Sequence, residues 1–241
     1  MDRRNALPPI DSHADLKSLL MQEPYFIPHI NYLQTFQSQL TPFMRRQIIW
    51  WMDDLLERKG FDESLTFHAI NLLDRYLCRV QIVSYDLEVV AASCLLLVTK
   101  IKSDKKLEAD IISEYLDPTI IAEDIIGMEA NVISALEWQV TTISSYDFAN
   151  AVLDQLLQTP RYVNPIKERA RKILKICLID TRFLKLRYSQ LALAVVEYVL
   201  YEVGYPGVPW FVEQFYGLFN LDANKSRVLM EFIRMTIKGE Y

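Results

Sequence analysis

The chain has 241 residues, 51% of them hydrophobic and 24% charged, enough for one large domain or two of about 120 residues. Its net charge of −5 argues against a nucleic-acid binder that works through a basic footprint. The longest uncharged apolar run, about ten residues, is too short to span a bilayer, and Met1 to Asn5 lead into no apolar stretch of the kind a secretory signal needs.

Glycine is scarce, with six in all, and long stretches repeat every 3.6 residues, so the fold class is all-α. Residues 1–22 are polar, contain Pro8 and Pro9, and read as a loosely held segment. Pro24 to Leu40 reads as a lead-in plus a helix. The next helix runs from about 43 to 59 and stops at Gly60, with an apolar line of Met44, Ile48, Trp51 and Leu55. Asp62 offers an N-cap for a helix to about Val80. A buried helix opens at Ser84 or Tyr85 and ends near Lys102. A short one covers about 107–115, and a long one about 119–137.

The pattern then recurs. Ser144 and Ser145 cap a helix to about Leu157, and Pro165 sits in the first turn of one that continues to about Thr181. Ser189 to Val203 copies the buried character of 86–100. Val208-Pro209 and Leu221-Asp222 open the last two helices. Tyr85 and Tyr188 begin matching buried helices 103 residues apart, so the chain reads as two five-helix repeats. The domain reading is 1–22 as the flexible segment, 23–140 as an N-terminal helix with the first repeat, and 141–241 as the second.

Two charges stand where apolar residues are expected. Lys100 ends the run Val89 to Thr99, and Glu129 lies between Ile125 and Ile133 on one helical face. An acid in an apolar stripe is costly unless it is paired. Either the two charges pair with each other, or they are placed to grip the backbone of a partner. The second repeat has Val203 and Phe232 at the matching positions, so only the first carries the pair.

Cys78, Cys94 and Cys177 lie in apolar helical patterns and form no CxxC or metal spacing, and the three histidines do not cluster. No cofactor and no metal are expected, and the thiols read as reduced and intracellular. No Gly-rich phosphate loop, nucleophile elbow or HExxH is present, so no intrinsic catalysis is expected.

Met44-Arg45-Arg46 with Trp51, Leu73-Asp74-Arg75-Tyr76-Leu77, Thr99-Lys100 and Met128-Glu129 together resemble the cyclin box. The likeness extends from about Pro24 to the end, and rests in the second box mainly on helix pattern. It is most similar to D-type cyclins and to the short cyclins of gammaherpesviruses. The resemblance implies two tandem five-helix cyclin boxes with an N-terminal helix. It implies a regulatory subunit that binds and activates a cyclin-dependent kinase as a heterodimer and drives the cell cycle, with a host kinase as partner for a viral chain. The implied location is nucleus or cytoplasm, a host nucleus for a viral chain, with no nucleic-acid or membrane partner.

The resemblance also implies site residues. Arg45 and Asp74 form a buried ion pair, and Val89 stands where cyclins usually have leucine. Lys100, Glu129, Ile101, Lys102 and Asp124 face the kinase, the first two through its backbone. A groove for short basic-hydrophobic peptides of substrates or inhibitors is implied at Met44, Gln47, Ile48, Trp51, Asp54, Leu87 and Glu88. Asp54 and Glu88 attract the basic residue, and Gln47 replaces the usual aliphatic. The competing reading of Met44, Ile48 and Trp51 is ordinary helix core.

Arg4-Asn5-Ala6-Leu7 fits the RxxL core of a destruction signal, and no LxCxE motif is present. Lys167, Arg169, Arg171, Lys172 and Lys175 read as a solvated helix face. The alternative to kinase activation is a cyclin-fold interaction module or scaffold that activates nothing.

Overall fold

The computed structural model describes residues 16–28, 32–156, 160–205 and 208–239. Among them are helices, turns and loops, and no strand. The α-helices are α1 (Leu16–Gln22), α2 (Tyr32–Thr35), α3 (Pro42–Arg58), α4 (Ser64–Leu77), α5 (Asp86–Lys102), α6 (Ala109–Ser113) and α7 (Ala122–Ala135). There follow α8 (Ser145–Leu156), α9 (Pro160–Ile179), α10 (Tyr188–Glu202), α11 (Val208–Tyr216) and α12 (Ala223–Lys238). The chain divides into two compact units.

One unit comprises Ile27–Ser144 with Leu178–Lys185. Its axis is α5, which packs against α3, α4, α6 and α7. That position requires a helix apolar on every side, and α5 is buried continuously from Val90 to Thr99. Asp86 and Glu88 in its first turn and Lys100 and Lys102 in its last complement the helix dipole. α3 starts where the Thr41 hydroxyl accepts from the Met44 N–H at 3.2 Å, with Pro42 in its first turn. It ends before Gly60, whose φ of +66° strains any L side chain. The buried face of α3 is Arg45, Ile48, Ile49, Met52, Leu55 and Leu56. The apolar line expected from sequence is therefore rotated: Ile48 and Leu55 are core, while Met44 and Trp51 are only half-buried.

The other unit comprises the described residues up to Phe26, Ser145–Cys177 and Leu186 onward. Its axis is α10, buried from Leu191 to Glu197 and packed against α8, α11 and α12. The two axial helices are the repeat pair anticipated from Tyr85 and Tyr188, and each box has five helices, α3–α7 and α8–α12.

Three expectations need correction. Residues 16–22 are not loose: they form α1, which buries Leu16 and Leu19 and packs on α8. Between Pro24 and Leu40 the described residues hold only a 3-10 turn, Glu23–Tyr25, and the single turn α2. Pro24 and Pro28 lack the N–H that a continuing helix needs. α9 begins at Pro160, so Pro165 lies inside the helix and not in its first turn. Residues 1–15, with Arg4-Leu7, lie outside the described residues.

Candidate functional site

In the Ile27–Ser144 unit, Arg45 and Asp74 are each 1% exposed and meet in a two-pronged pair. Arg45 Nε donates to Asp74 Oδ1 at 2.8 Å and Nη2 to Oδ2 at 2.7 Å. The Tyr32 hydroxyl donates to Oδ1 at 2.5 Å. Arg45 Nη1 donates to the carbonyls of Leu178 and Ile179 at 2.9 and 3.3 Å. Burial opposes the guanidinium charge, but Asp74 and the Tyr32 oxygen outweigh it and its pKa is raised. Burial and the Asp74 charge push the Tyr32 hydroxyl well up in turn. A fork of this kind fixes geometry as well as charge.

α5 and α7 lie side by side, tied by the Ser93 hydroxyl, which donates to the Ile125 carbonyl at 2.8 Å. At the end of that seam Lys100 Nζ donates to both oxygens of Glu129, at 2.7 and 2.8 Å. The two charges satisfy each other in this chain, yet unequally: the Lys100 side chain is 41% exposed and that of Glu129 12%. Ile101, Ile121 and Ile126 are exposed on the same pair of helices or at their ends. Lys102 reaches back to the Thr142 carbonyl at 3.4 Å. The Asp124 carboxylate accepts from the Ile121 N–H at 3.1 Å and caps α7. The five expected contact residues thus share one helix pair, with Lys102 and Asp124 already engaged.

Sequence reasoning missed the loop that follows α7. Glu137 and Trp138 adopt φ of +54° and +63°, a conformation costly for side chains of their size. Arg79 donates to the Ala135 carbonyl at 2.9 Å, and buried Arg75 to those of Gln139 and Thr141 at 2.6 and 3.0 Å. His68 Nδ1 lies 2.9 Å from the Thr142 hydroxyl. Trp138 is left 80% exposed. The available signal was Arg75, a cation directly after Asp74 in a helix whose residues 65–77 are all buried.

Six of the seven expected groove residues line one groove of about 420 Å³: Met44, Gln47, Ile48, Trp51, Leu87 and Glu88. Phe43 and Ser84 join them, and Tyr115, Leu116 and Asp117 form a wall that the sequence reading did not include. Asp54 is not among the lining residues. It is exposed and paired with Arg58 at 2.7 Å. The basic residues of α9 are largely engaged, Lys167 with Asp154, Arg169 with Glu202, and Arg171 and Lys172 with Glu168. Among the described residues no group of His, Cys, Asp or Glu is arranged to hold a metal ion, and no helix is long and apolar enough to cross a membrane.

Residues 16–141 match a family model described as the N-terminal domain of cyclins. The chain belongs to the cyclin family. It is 27% identical over 168 residues to the G1/S-specific cyclin-D2 of Rattus norvegicus, a match covering 70% of this chain and 58% of that protein. It is 28% identical over 168 residues to the G1/S-specific cyclin-D3 of Homo sapiens, with the same coverage. The chain thus spans under two thirds of the length of these D-type relatives. A viral cyclin from herpesvirus saimiri aligns over 92% of this chain and 97% of its own, with a TM-score of 0.78 and 20% identity. A chain of the yeast RNA Pol II CTD kinase CTDK-1 complex aligns over 94% of this cyclin and 72% of its own, at TM-score 0.62 and 14% identity. At those identities the likeness speaks to fold: this cyclin has the cyclin fold along nearly its whole length.

Proposed function

We propose that this cyclin binds a cyclin-dependent protein kinase and switches it on, promoting cell-cycle progression without catalytic chemistry of its own. The observation that carries the reading is the Lys100–Glu129 pair at the open end of the α5–α7 seam, among the exposed side chains of Ile101 and Ile126. The Lys100 side chain is 41% exposed, and a charge pair with one partner so open to solvent gains little for stability. A donor and an acceptor beside apolar side chains suit a partner's main chain and an apolar helix face. On binding, Lys100 and Glu129 exchange each other for kinase backbone groups. Trp138, held out by the loop after α7, supplies the large anchor that interface centres favour. Lys102 and Asp124 stand at the rim.

The action is conformational. The first box packs against the mobile helix of the kinase small lobe and holds it inward, so that its glutamate pairs with the ATP-positioning lysine. The leverage is the difference in affinity for the active and inactive kinase. The first box, with residues 23–140, does the gripping, and the second, 141–241, supports it. The groove along α3 receives short basic and apolar peptides from substrates or inhibitors. The place of action is the nucleus or cytoplasm.

The test is reconstitution. The purified chain alone should phosphorylate nothing. Mixed with each member of a panel of cyclin-dependent kinases, it should raise the activity of at least one by orders of magnitude. Binding without stimulation across the panel would leave a scaffold, and no binding at all would end the proposal.

A further inference from the structure

Helices α3, α10 and α7 end in the same hydrogen-bonded turn, and α7 does so against its own residues. At the end of α3 the Gly60 N–H donates to the Glu57 carbonyl and the Phe61 N–H to that of Leu56, both at 2.9 Å. At the end of α10 Gly204 donates to Tyr201 at 3.1 Å and Tyr205 to Leu200 at 2.9 Å. The turn needs a left-handed residue in its first position, and Gly60 and Gly204 supply it at φ of +66° and +65°. α7 closes in the same way, Glu137 donating to Ser134 at 2.9 Å and Trp138 to Ile133 at 3.0 Å. Here Glu137 stands at the glycine position, and Trp138 after it is left-handed as well. A Cβ in that region crowds the following carbonyl oxygen, so this turn is held against a cost that the other two avoid.

Two arginines hold it. Arg79 grips the chain just before the turn, at the Ala135 carbonyl, and Arg75 just after it, at the carbonyls of Gln139 and Thr141. Arg75 is 5% exposed, so burial fixes its guanidinium. Lys102, on the Thr142 carbonyl, extends the grip. Trp138 itself is 80% exposed, and the fold gains little from burying it. Strain kept beneath a side chain that the chain does not bury points to a use outside the chain. Tryptophan has two side-chain torsions to fix, so a backbone already fixed leaves little to order on binding.

We infer that Arg75 and Arg79 are positioning residues for partner binding. Gripping the chain on both sides of the turn, they keep Trp138 left-handed and ordered, so that its indole enters an apolar hollow on the kinase without a search. The strain is then a stability cost retained for affinity. This rests on the kinase reading of the α5–α7 seam.

The test uses the full chain and the kinase that the reconstitution panel identifies, with melting and binding titration on each variant. Glu137→Gly removes strain away from the anchor. It should raise the melting temperature by about 2–4 °C and leave affinity within about two-fold. Trp138→Gly should raise melting temperature similarly yet weaken binding by about thirty-fold, a hot-spot loss, and Trp138→Phe should restore most of it. Arg79→Ala, at an exposed residue, should weaken binding by about three- to ten-fold, the size of one lost hydrogen bond. Arg75→Lys keeps the charge without the fork and should do the same. Neither arginine variant should weaken binding further once Trp138 is glycine. Arginine variants that act equally with and without Trp138, or Trp138→Gly that binds like wild type, overturn the positioning role and leave the kinase reading intact. Glycine variants that melt no higher overturn the strain. Failure of the wild-type chain to bind any kinase of the panel overturns the kinase reading and this inference together.

Discussion

Each box buries a carboxylate inside its helices, and the two are satisfied by different chemistry. In the first, Asp74 meets a guanidinium in a two-pronged pair, and both groups are almost wholly out of solvent. In the second, Glu197 on the axial helix α10 is 3% exposed and receives two hydroxyls. The Tyr216 hydroxyl donates at 2.9 Å and the Ser226 hydroxyl donates to the other oxygen. Burial and the Glu197 carboxylate push the Tyr216 hydroxyl up to about 12. An ion pair is rigid but unforgiving, because losing one partner strands a desolvated charge. A hydroxyl rotates and can accept as well as donate, so it adapts to a changed neighbour. The surfaces differ in the same sense. The first box ends its axial seam with Lys100 and Glu129, where the second has exposed Val203 and half-buried Phe232. Specific geometry is concentrated in the box that we propose meets the kinase.

Breaking the two knots gives the largest contrast. Arg45→Ala leaves Asp74 buried with Tyr32 as its remaining side-chain donor, and should cost about 3–5 kcal/mol in denaturant unfolding. Glu197→Gln keeps one acceptor oxygen and offers a donor to a hydroxyl that can turn, so about 1 kcal/mol is expected. Similar losses in the two variants would erase the distinction drawn here between ionic and hydroxyl knots.

The surface contrast is tested next. Lys100→Ala and Glu129→Ala should each weaken kinase binding by about 2 kcal/mol, a typical hot-spot loss. Val203→Ala in the second box should leave it unchanged. The Lys100 side chain is 41% exposed and that of Glu129 12%, so Glu129→Ala should lower folding stability by less than about 1 kcal/mol, while Lys100→Ala, which leaves the more buried acid unpaired, should cost more. A double variant sharpens the reading. Recovery of stability in the double with affinity untouched throughout would assign the pair to the fold alone.

Legibility from sequence followed the range of the interaction. The helices of both boxes were readable because axial position demands an all-round apolar helix, and 86–100 and 189–203 both have one. Lys100 and Glu129 stood out as charges among apolar neighbours, whereas Arg45 and Asp74 were marked only by the resemblance to the cyclin box. The groove wall did not stand out, because Tyr115 reaches Trp51 across 64 residues and nothing local announces it. Asp54 misled for the opposite reason. Its spacing from Trp51 puts it on the groove side of α3, but it is exposed, paired with Arg58 one turn on, and not among the groove's lining residues. Helix α1 was overlooked because its apolar pair, Leu16 and Leu19, spans a single turn after a polar stretch. With it went Glu23, which the sequence shows only as an acid before Pro24.

Glu23 supplies the smallest and most specific test of the comparison, since it is a second buried acid in the α8–α12 unit met by neutral donors. It is 1% exposed. Its carboxylate accepts from the Ser189 N–H at 2.8 Å and the Ser189 hydroxyl at 2.9 Å, so it caps the start of α10. Burial raises its pKa, and the Ser189 hydrogen bonds and the Arg187 charge recover only part of the shift. A carboxyl whose folded pKa lies above its unfolded one binds more protons when folded. Its contribution is then fully present below the unfolded value of about 4.5 and is lost as pH rises through the folded pKa. Stability from this residue should therefore fall with rising pH in the window just above 4.5, opposite to the usual carboxylate. Glu23→Gln removes the titrating group, so the difference in melting temperature between wild type and variant should shift in favour of the variant as pH rises through that window. The variant removes this one titrating group, so a pH-dependent difference belongs to the second unit. A difference that is flat with pH would mean that the Ser189 donors fully offset burial at Glu23. A difference of opposite sign would mean that they outweigh it, and the hydroxyl-capped acids of this unit would then be as strongly held as the ionic knot of the first box.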